Sequence, residues 1–212
     1  MKLRNVLAAT ALVLSAALPA HAGVITSLYS TGVDNAGVAT TGNGVDLHWS
    51  LTGGTAYTGG TNGVFPIGPW LTETATSRWI TSTPNAANDV GSPFVYTTTF
   101  SLTGFKAASA SISGVFVGDN GVTAIFLNGT LISTGADGFG SFTAFNSGGA
   151  SFLAGTNTLT FDLRNDGGPA GLRVEVVGTA ATVPDPATWG LLVAGLGLVG
   201  FTGRRRAVSA AV

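Results

Sequence analysis

The side chains with the clearest chemical potential are oxygen ligands beside glycine-containing turns. Four of them, Asp119, Asn120, Asp137 and Asp166, stand in Asx-Gly segments of the sequence. Calcium prefers such hard oxygen ligands on flexible backbone, so these four residues are candidate ligands of a structural calcium ion. None of their spacings matches an EF-hand loop. The alternative is that the Asx-Gly pairs only form turns, with no cofactor bound.

Aromatic rings are the second group with chemical potential. Sugar-binding sites stack a ring on an exposed aromatic side chain and add a few polar groups. Trp70 lies between Pro69 and Leu71 in a loop-like setting and is the candidate carbohydrate contact. Trp49 and Trp79 lie in strand-like runs, and we expect them to be buried.

The sequence gives less support to a catalytic site than to the candidate sites above. Asp46, His48 and Ser50 share the polar face of one predicted strand, and residues on one face of one strand are a poor template for a nucleophile and its base. We therefore expect a solvated or turn-bonded histidine. A glycosidase would need two carboxylates at a controlled separation, and Glu73 and Glu175 are the only glutamates. No acid/base motif surrounds them, so we expect a non-catalytic protein and keep a glycoside hydrolase as an alternative.

The elements that must position these residues are strands. Apolar and polar residues alternate with period two in several runs, and no segment between the two ends of the chain keeps a helical period. Asn128-Gly129 separates two such runs and predicts a type I′ hairpin. Many short strands joined by Gly, Asn and Asp turns predict an all-β fold, a single β-sandwich. The predicted strands include Val45–Leu51, Phe94–Leu102, Leu159–Leu163 and Leu172–Val176.

The middle of the chain resembles jelly-roll sandwiches of the galactose-binding-like group. The resemblance rests on a strand that ends in Asn-Gly at 125–129 and on a Gly-x-Asn-x-Leu strand start at 155–159. Both motifs have purely structural uses, as a turn and as a strand start. The resemblance therefore implies the jelly-roll fold and not sugar binding. The other matching positions are Trp79, Phe100, Leu102, Asp119, Asn120, Asn165 and the run 167–172.

Composition narrows the function further. Cysteine is absent, which excludes disulfides and thiolate chemistry. Only 9% of the residues are charged. Between Gly23 and Thr182 there are four basic and nine acidic side chains, a formal charge of −5. A weakly acidic domain is a poor nucleic-acid binder because little in it would neutralise phosphates.

The C-terminal segment has a distinct order of features. Pro184-Asp185-Pro186 imposes an extended or turned backbone, and Ala187–Gly203 is an uncharged run of 17 residues. That length is at the short edge of what spans a bilayer, which takes roughly 17–25 residues. Trp189 suits the headgroup boundary, and three arginines close the run: Arg204, Arg205 and Arg206. This pattern predicts one C-terminal transmembrane helix, with residues 207–212 as a cytoplasmic tail.

The N-terminal segment is typical of a secretory signal peptide. Lys2 and Arg4 precede the apolar run Val6–Leu18, and Ala20-His21-Ala22 has the small-x-small pattern of a cleavage site. The sequence therefore predicts a signal peptide at 1–22 and an exported domain at 23–182.

The C-terminal features together resemble the PEP-CTERM sorting signal of Gram-negative bacteria, which a membrane protease called exosortase processes. The resemblance covers roughly the last 25 residues. The family usually has Glu between the prolines, where this chain has Asp185, which keeps the charge and shortens the side chain. The sorting motif is predicted at 183–206, and its matching residues are Val183, Pro184, Asp185, Pro186, Trp189 and Arg204–Arg206.

This resemblance implies a location and partners. It implies a precursor anchored in the inner membrane, cleaved by exosortase near the prolines, and then located at the cell surface or outside the cell. Proteins with this signal accompany exopolysaccharide and biofilm production, so exopolysaccharide is an expected partner. A carbohydrate-binding module with saturable sugar affinity is the alternative function.

Overall fold

The computed structural model describes residues 21–59, 68–86, 93–183, 190 and 193–195. Within these residues the regular structure is almost entirely β, with one short 3₁₀ turn at Ala107–Ser109. The strands are β1 Ala22–Val24, β2 Gly44–Val45, β3 Trp49–Leu51, β4 Tyr57–Thr58, β5 Ile80–Thr81, β6 Phe94–Ser101, β7 Ser111–Leu127, β8 Thr130–Ser133, β9 Ala136–Asn146, β10 Thr156–Arg164 and β11 Gly171–Ala181.

The long strand β7 belongs to two layers. Its first half pairs antiparallel with β11, from Ser111 to Asp119. Its second half pairs antiparallel with β10, from Gly121 to Leu127. The β11 layer contains β9, the first half of β7, β11, β5, β4 and β2. The β10 layer contains β8, the second half of β7, β10, β6 and β3.

The main core lies between the two layers. Phe161 of β10 contacts Phe116 of β7 and Phe145 of β9, with ring centroids 6.0 and 5.4 Å apart. Alternate residues of β11, among them Leu172 and Val174, face the same core and are fully buried. Two antiparallel layers packed through such alternating positions confirm the predicted all-β sandwich.

The strand predictions are confirmed for β6, β10 and β11, and one is wrong. The run Val45–Leu51 was predicted as a single strand, but it splits into β2 and β3 on either side of Asp46. The Asp46 carboxylate accepts hydrogen bonds from the backbone N–H groups of His48 and Trp49, at 2.8 and 2.7 Å. Such local side-chain bonds offer the backbone an alternative to a sheet ladder, so the chain turns here.

The predicted hairpin at Asn128-Gly129 is confirmed. Both residues have positive φ, 51° and 79°, as a type I′ turn requires. The Asn128 side chain also donates to the Asn157 side chain, at 2.8 Å, and accepts from the backbone N–H of Thr158, at 2.9 Å. The two motifs behind the jelly-roll resemblance therefore contact each other.

The two ends of the domain lie side by side. β1 pairs antiparallel with the end of β11, with Ala22 opposite Ala181. The predicted signal peptide lies outside the described residues except for its last two positions. The predicted transmembrane helix also lies mostly outside them, although Gly190 and the segment 193–195 are helical. Among the residues that are described, no helix has the length and apolar character needed to cross a membrane.

A second, smaller hydrophobic cluster covers part of the outer face of the β11 layer. It consists of Trp70, Trp79 and Val117, and Phe139 and Phe142 pack against it. Trp79 is fully buried. This outer cluster covers only one part of the face, and the remaining part forms the candidate site.

Candidate functional site

The uncovered part of the β11 layer presents two rows of side chains to solvent. Residues directly opposite in an antiparallel pair point to the same face. The pairing therefore places Glu175, Val115 and Ala144 in one row. It places Val177, Ser113 and Asn146 in the next row.

These rows form the floor of a groove with a volume of about 760 Å³. The segment 28–30 runs along one side of it, and Thr76 and Gly37 also line it. The Ser30 hydroxyl accepts a hydrogen bond from the backbone N–H of Val176, at 3.2 Å, which fixes this side against β11. Ligand sites for small molecules span roughly 300–1,000 Å³, so the groove could hold a short oligomer.

Glu175 is the charged residue of the groove floor. Its Oε1 accepts hydrogen bonds from Ser77 Oγ at 2.8 Å, Thr76 Oγ1 at 2.9 Å and, at longer range, Thr74 Oγ1 at 3.3 Å. Arg173 Nη2 lies 3.2 Å from the same oxygen. The described residues place no hydrogen-bond donor on Oε2. The carboxylate is therefore fixed through one oxygen and keeps an acceptor for a ligand.

Opposing effects set the pKa of Glu175. Burial alone would raise it, but the hydrogen bonds from Ser77 and Thr76 and the charge of Arg173 outweigh burial. The pKa therefore lies below its usual value. Glu175 is therefore ionised at neutral pH and paired with Arg173.

Arg173 supports this network from inside the protein. Its side chain lies on the outer face of β11, where the 68–79 segment buries it completely. Its Nε donates to Ser77 Oγ, at 2.6 Å, and its Nη1 donates to the Thr72 carbonyl, at 2.6 Å. The guanidinium also lies 4.9 Å from the centre of the Phe142 ring. The outer cluster and the groove therefore share one buried cation.

The polar groups of the second row retain capacity for a ligand. Asn146 Oδ1 accepts from the backbone N–H of Gly148, at 2.8 Å, which turns the amide oxygen toward the loop. In this row the exposed Ser113 hydroxyl lies between the aliphatic surface of Val177 and the side chain of Asn146, whose amide nitrogen can still donate. The groove thus combines polar and aliphatic side chains.

The prediction of Trp70 as an exposed carbohydrate contact is wrong. Only 6% of Trp70 is accessible, and its ring lies 4.3 Å from that of Trp79. Its Nε1 donates to Asp119 Oδ2 at 2.7 Å. The ring thus gains apolar burial and a polar partner on the sheet, which its loop-like sequence setting did not reveal.

The four candidate calcium ligands do approach one corner of the sandwich, where β7 passes between layers. Arg164 Nη2 lies between two of them, 3.3 Å from Asp137 and 3.4 Å from Asp166. Asn120 Oδ1 already accepts from the backbone N–H of Asp166, at 2.7 Å. Across the described part of the chain no three His, Asp or Glu side chains are grouped to hold a metal ion. The residues therefore do not fit the predicted calcium site, because an arginine lies between the two exposed carboxylates.

Asp119 is the buried member of that corner. Burial raises its pKa, and the hydrogen bond from Trp70 only partly opposes this effect. Its Oδ1 is buried and has no hydrogen-bond partner among the residues that the structure describes. Its role in the structure is to fasten Trp70 to the sheet.

The His48 group forms no triad. The His48 ring stacks on Tyr29, with centroids 3.7 Å apart, and Ser50 Oγ bonds to the Thr97 carbonyl. Asp46 binds backbone N–H groups, including that of Gly32 at 2.6 Å. The His48 Nε2 lies 3.3 Å from the Asp34 carbonyl, so the ring packs against the 29–34 segment.

Glu73 lies apart from the groove lining. Its Oε2 is 3.0 Å from Arg78 Nε, and its Oε1 accepts from the backbone N–H of Trp79, at 2.9 Å. The two glutamates considered for glycosidase chemistry thus hold separate parts of the 72–79 segment.

Val183 is the one predicted sorting residue that the structure describes. Its backbone N–H donates to the Gly104 carbonyl, at 2.8 Å, directly after the end of β11. Pro184, Asp185, Pro186, Trp189 and Arg204–Arg206 lie outside the described residues.

Sequence reasoning missed most of the groove. Alternation along β11 placed Glu175 correctly on its outer face, but the predicted strand ended at Val176 and did not include Val177. The alternation could not show which residues of β7 and β9 stand beside them, because pairing joins residues 29 to 64 positions apart. No local sequence pattern marked the groove residues of β7 and β9, which are Ser113, Val115, Ala144 and Asn146.

Residues 182–206 match the family model of the PEP-CTERM protein-sorting motif. The recognition made from the sequence is confirmed over this segment. No curated protein matches the chain in sequence.

Several solved structures share a general likeness. A Stig cyclase from Fischerella sp. TAU is 12% identical and aligns over 76% of this chain and 100% of its own, with a TM-score of 0.42. The family 11 carbohydrate-binding module from Clostridium thermocellum is 13% identical over 70% of this chain and 96% of its own, with a TM-score of 0.36. A CBM36-1 domain of a xylanase from the hindgut metagenome of Trinervitermes trinervoides is 12% identical over 46% and 78%, with a TM-score of 0.32. Likeness this weak has no bearing on function.

Proposed function

We propose that this chain is an exported, non-catalytic surface protein of a Gram-negative bacterium, sorted and cleaved by exosortase and associated with exopolysaccharide. The match to the sorting motif carries the proposal, since the motif begins at residue 182, one residue after β11 ends. The domain would be anchored in the inner membrane through the tail and reach the surface or medium after cleavage.

Intact mass of the protein recovered from cell surface and medium tests this function. We expect loss of residues 1–22 and a C-terminus near Val183–Pro186. The matched variants are Pro186→Ala, which removes a motif proline, and Asp185→Glu, which restores the usual residue of the motif. We expect the first to accumulate in the membrane with its tail and the second to be processed at least as well as the native chain. An intact tail on the native protein at the surface would overturn the proposal.

A second candidate function, carbohydrate binding, is favoured by the groove. Its free carboxylate oxygen at Glu175 accepts hydroxyl donors, the Asn146 amide can donate, and the aliphatic surface of Val177 suits the C–H face of a sugar ring. Because Arg173 is buried and already paired with Glu175, and the domain carries a charge of −5, neutral glycans are the favoured ligand class. Acidic polysaccharides would be repelled.

Calorimetric titration of the full chain with neutral and acidic oligosaccharides tests the groove. Ala144→Trp would fill the exposed floor without touching the core, so we expect the fold to remain and neutral-glycan binding to be lost. Asp166→Asn, at the opposite corner, is the control and should bind as the native chain does. Saturable binding that survives Ala144→Trp would remove the groove from consideration.

The glycoside hydrolase alternative predicts turnover that is lost when Glu73 or Glu175 is replaced by Gln. The two carboxylates bind different partners, Glu73 with Arg78 and Glu175 with Arg173, and this supports the non-catalytic function instead. Reducing-sugar release from the glycans that bind is the measurement, and we expect none above the level of the two variants.

A further inference from the structure

We propose that one end of the sandwich docks onto the phospholipid headgroup layer while the tail is anchored in the membrane, with Lys106 and Leu153 as its main contacts. We call this surface the terminal end and define it as residues 23–24, 102–110, 147–155 and 179–183, because residues 21–22 belong to the predicted signal peptide. The inference rests on the membrane anchoring in the proposed function, and it assigns an orientation that the sorting motif alone does not imply.

Backbone hydrogen bonds assemble the terminal end around the point where the chain leaves the domain. Gly23 pairs with Ala180 and Val24 with Thr179, so both ends of the exported domain emerge together. The Lys106 N–H donates to the Ala181 carbonyl, at 2.8 Å, and the Leu102 N–H donates to the Gly155 carbonyl, at 3.0 Å. The turns on either side of the exit are therefore fixed parts of the sandwich.

The reach of the connecting chain brings this surface close to the bilayer. Val183 is still hydrogen-bonded to the domain, and the apolar run begins at Ala187. Four fully extended residue steps span at most about 14 Å. A headgroup layer is about 5–8 Å thick. The domain can therefore stand only a few ångströms above the headgroups, with its terminal end facing them.

The charge of the terminal end fits an anionic leaflet. Lys106 is exposed and, among the described residues, takes part in no salt bridge, whereas Arg78, Arg164 and Arg173 each have a carboxylate within 3.4 Å. None of the acidic residues lies in the four segments of this surface. A basic residue near an anionic membrane surface contributes about 1 kcal/mol.

Exposed apolar side chains occur on the same surface. Val24, Leu153 and Val183 are 62%, 54% and 51% exposed. Leu153 stands in the turn before β10, where it can enter the boundary between headgroups and acyl chains. Apolar contact combined with basic charge is what holds proteins at a membrane interface.

The lack of cysteine gives a direct test. Leu153→Cys in the full chain is labelled with an environment-sensitive fluorophore and reconstituted in vesicles that contain headgroup-quencher lipids. Val38→Cys is the matched control, because Val38 is 53% exposed but lies outside the terminal end. Vesicles of phosphatidylcholine alone are compared with vesicles that also contain phosphatidylglycerol.

We expect strong quenching at position 153 and little at position 38. Lys106→Gln should lower the ratio of docked to undocked protein about fivefold in phosphatidylglycerol vesicles and have little effect in phosphatidylcholine alone. Equal quenching at both positions in protein that floats with the vesicles would overturn the docking and leave the anchoring intact. Failure of the chain to float with vesicles would overturn the anchoring and the docking together.

Discussion

The outer face of the β11 layer is closed at one end and open at the other. At Val117, the partner of Arg173, it is covered by Trp70 and Trp79, whereas four residues further along β11, at Val177, it is 65% exposed. Both parts belong to the same strands with the same alternation. The difference comes from the 68–79 segment. This segment crosses only the covered part and is fixed there by the hydrogen bond from Trp70 to Asp119. A single covering segment thus divides a sheet face into a second core and a candidate binding surface.

The largest expected effect comes from breaking the covered part. Trp79→Ala removes a fully buried ring, and we expect a loss of about 3–5 kcal/mol in the free energy of unfolding. Val177→Ala on the open part is the control, with an expected change within about 0.5 kcal/mol. Urea unfolding of both variants measures the difference. Similar losses would mean that the two parts are equally buried in solution.

A smaller effect is expected at the residue that the two parts share. Arg173→Met keeps much of the side-chain volume but leaves Glu175 without its cation. Breaking a fully buried pair costs about 3–5 kcal/mol, and the partial exposure of Glu175 reduces this to about 2–3 kcal/mol.

Arg164→Met is the matched control, because its ion pairs are exposed and worth less than about 1 kcal/mol. Thermal unfolding followed by circular dichroism compares the two variants. An Arg164→Met variant that lost more stability than Arg173→Met would contradict the assignment of Arg173 as the buried support.

The smallest effect is a pH dependence of opposite sign on the two parts. The folded-state pKa of Glu175 is lowered, so its stabilising contribution is present above the unfolded-state pKa and is lost as pH falls through the folded-state pKa. The folded-state pKa of Asp119 is raised by burial, so its ionisation costs stability as pH rises above the unfolded-state pKa.

Glu175→Gln should therefore be destabilising at neutral pH, with a deficit that shrinks in acid. Asp119→Asn can still accept from Trp70 and should gain stability relative to the native chain as pH rises. Chemical unfolding from about pH 3 to 7 covers both transitions. Parallel curves for the two variants would show that these carboxyls do not differ as the structure indicates.

The fold could be predicted further than the site. Alternation identified β6, β10 and β11, and Asn128-Gly129 identified its hairpin, because these signals are local. The sorting motif was also readable, since its features follow one another in the chain. The interruption of the strand at Asp46 could not be predicted from the sequence, because it depends on which backbone N–H groups the Asp46 carboxylate binds.

Trp70 shows why the site was missed. Its neighbours Pro69 and Leu71 indicate a loop, and the loop is real, but whether a loop tryptophan is exposed depends on what lies under it. Here Asp119, 49 positions away, supplies the partner. The groove likewise depends on cross-strand neighbours of β7, β9 and β11, which only the register determines.

The pairing of β1 with the end of β11 has a mechanical consequence. A force applied to the C-terminal tail is transmitted to the domain through Val183 and then along β11. In its last three residues β11 is bonded to β1 on one edge, and along most of its length it is bonded to β7 on the other. Antiparallel hydrogen bonds are perpendicular to the strands, so such a load shears many of them at once and does not open them one by one. A domain joined to its tail in this way would resist tension without a disulfide.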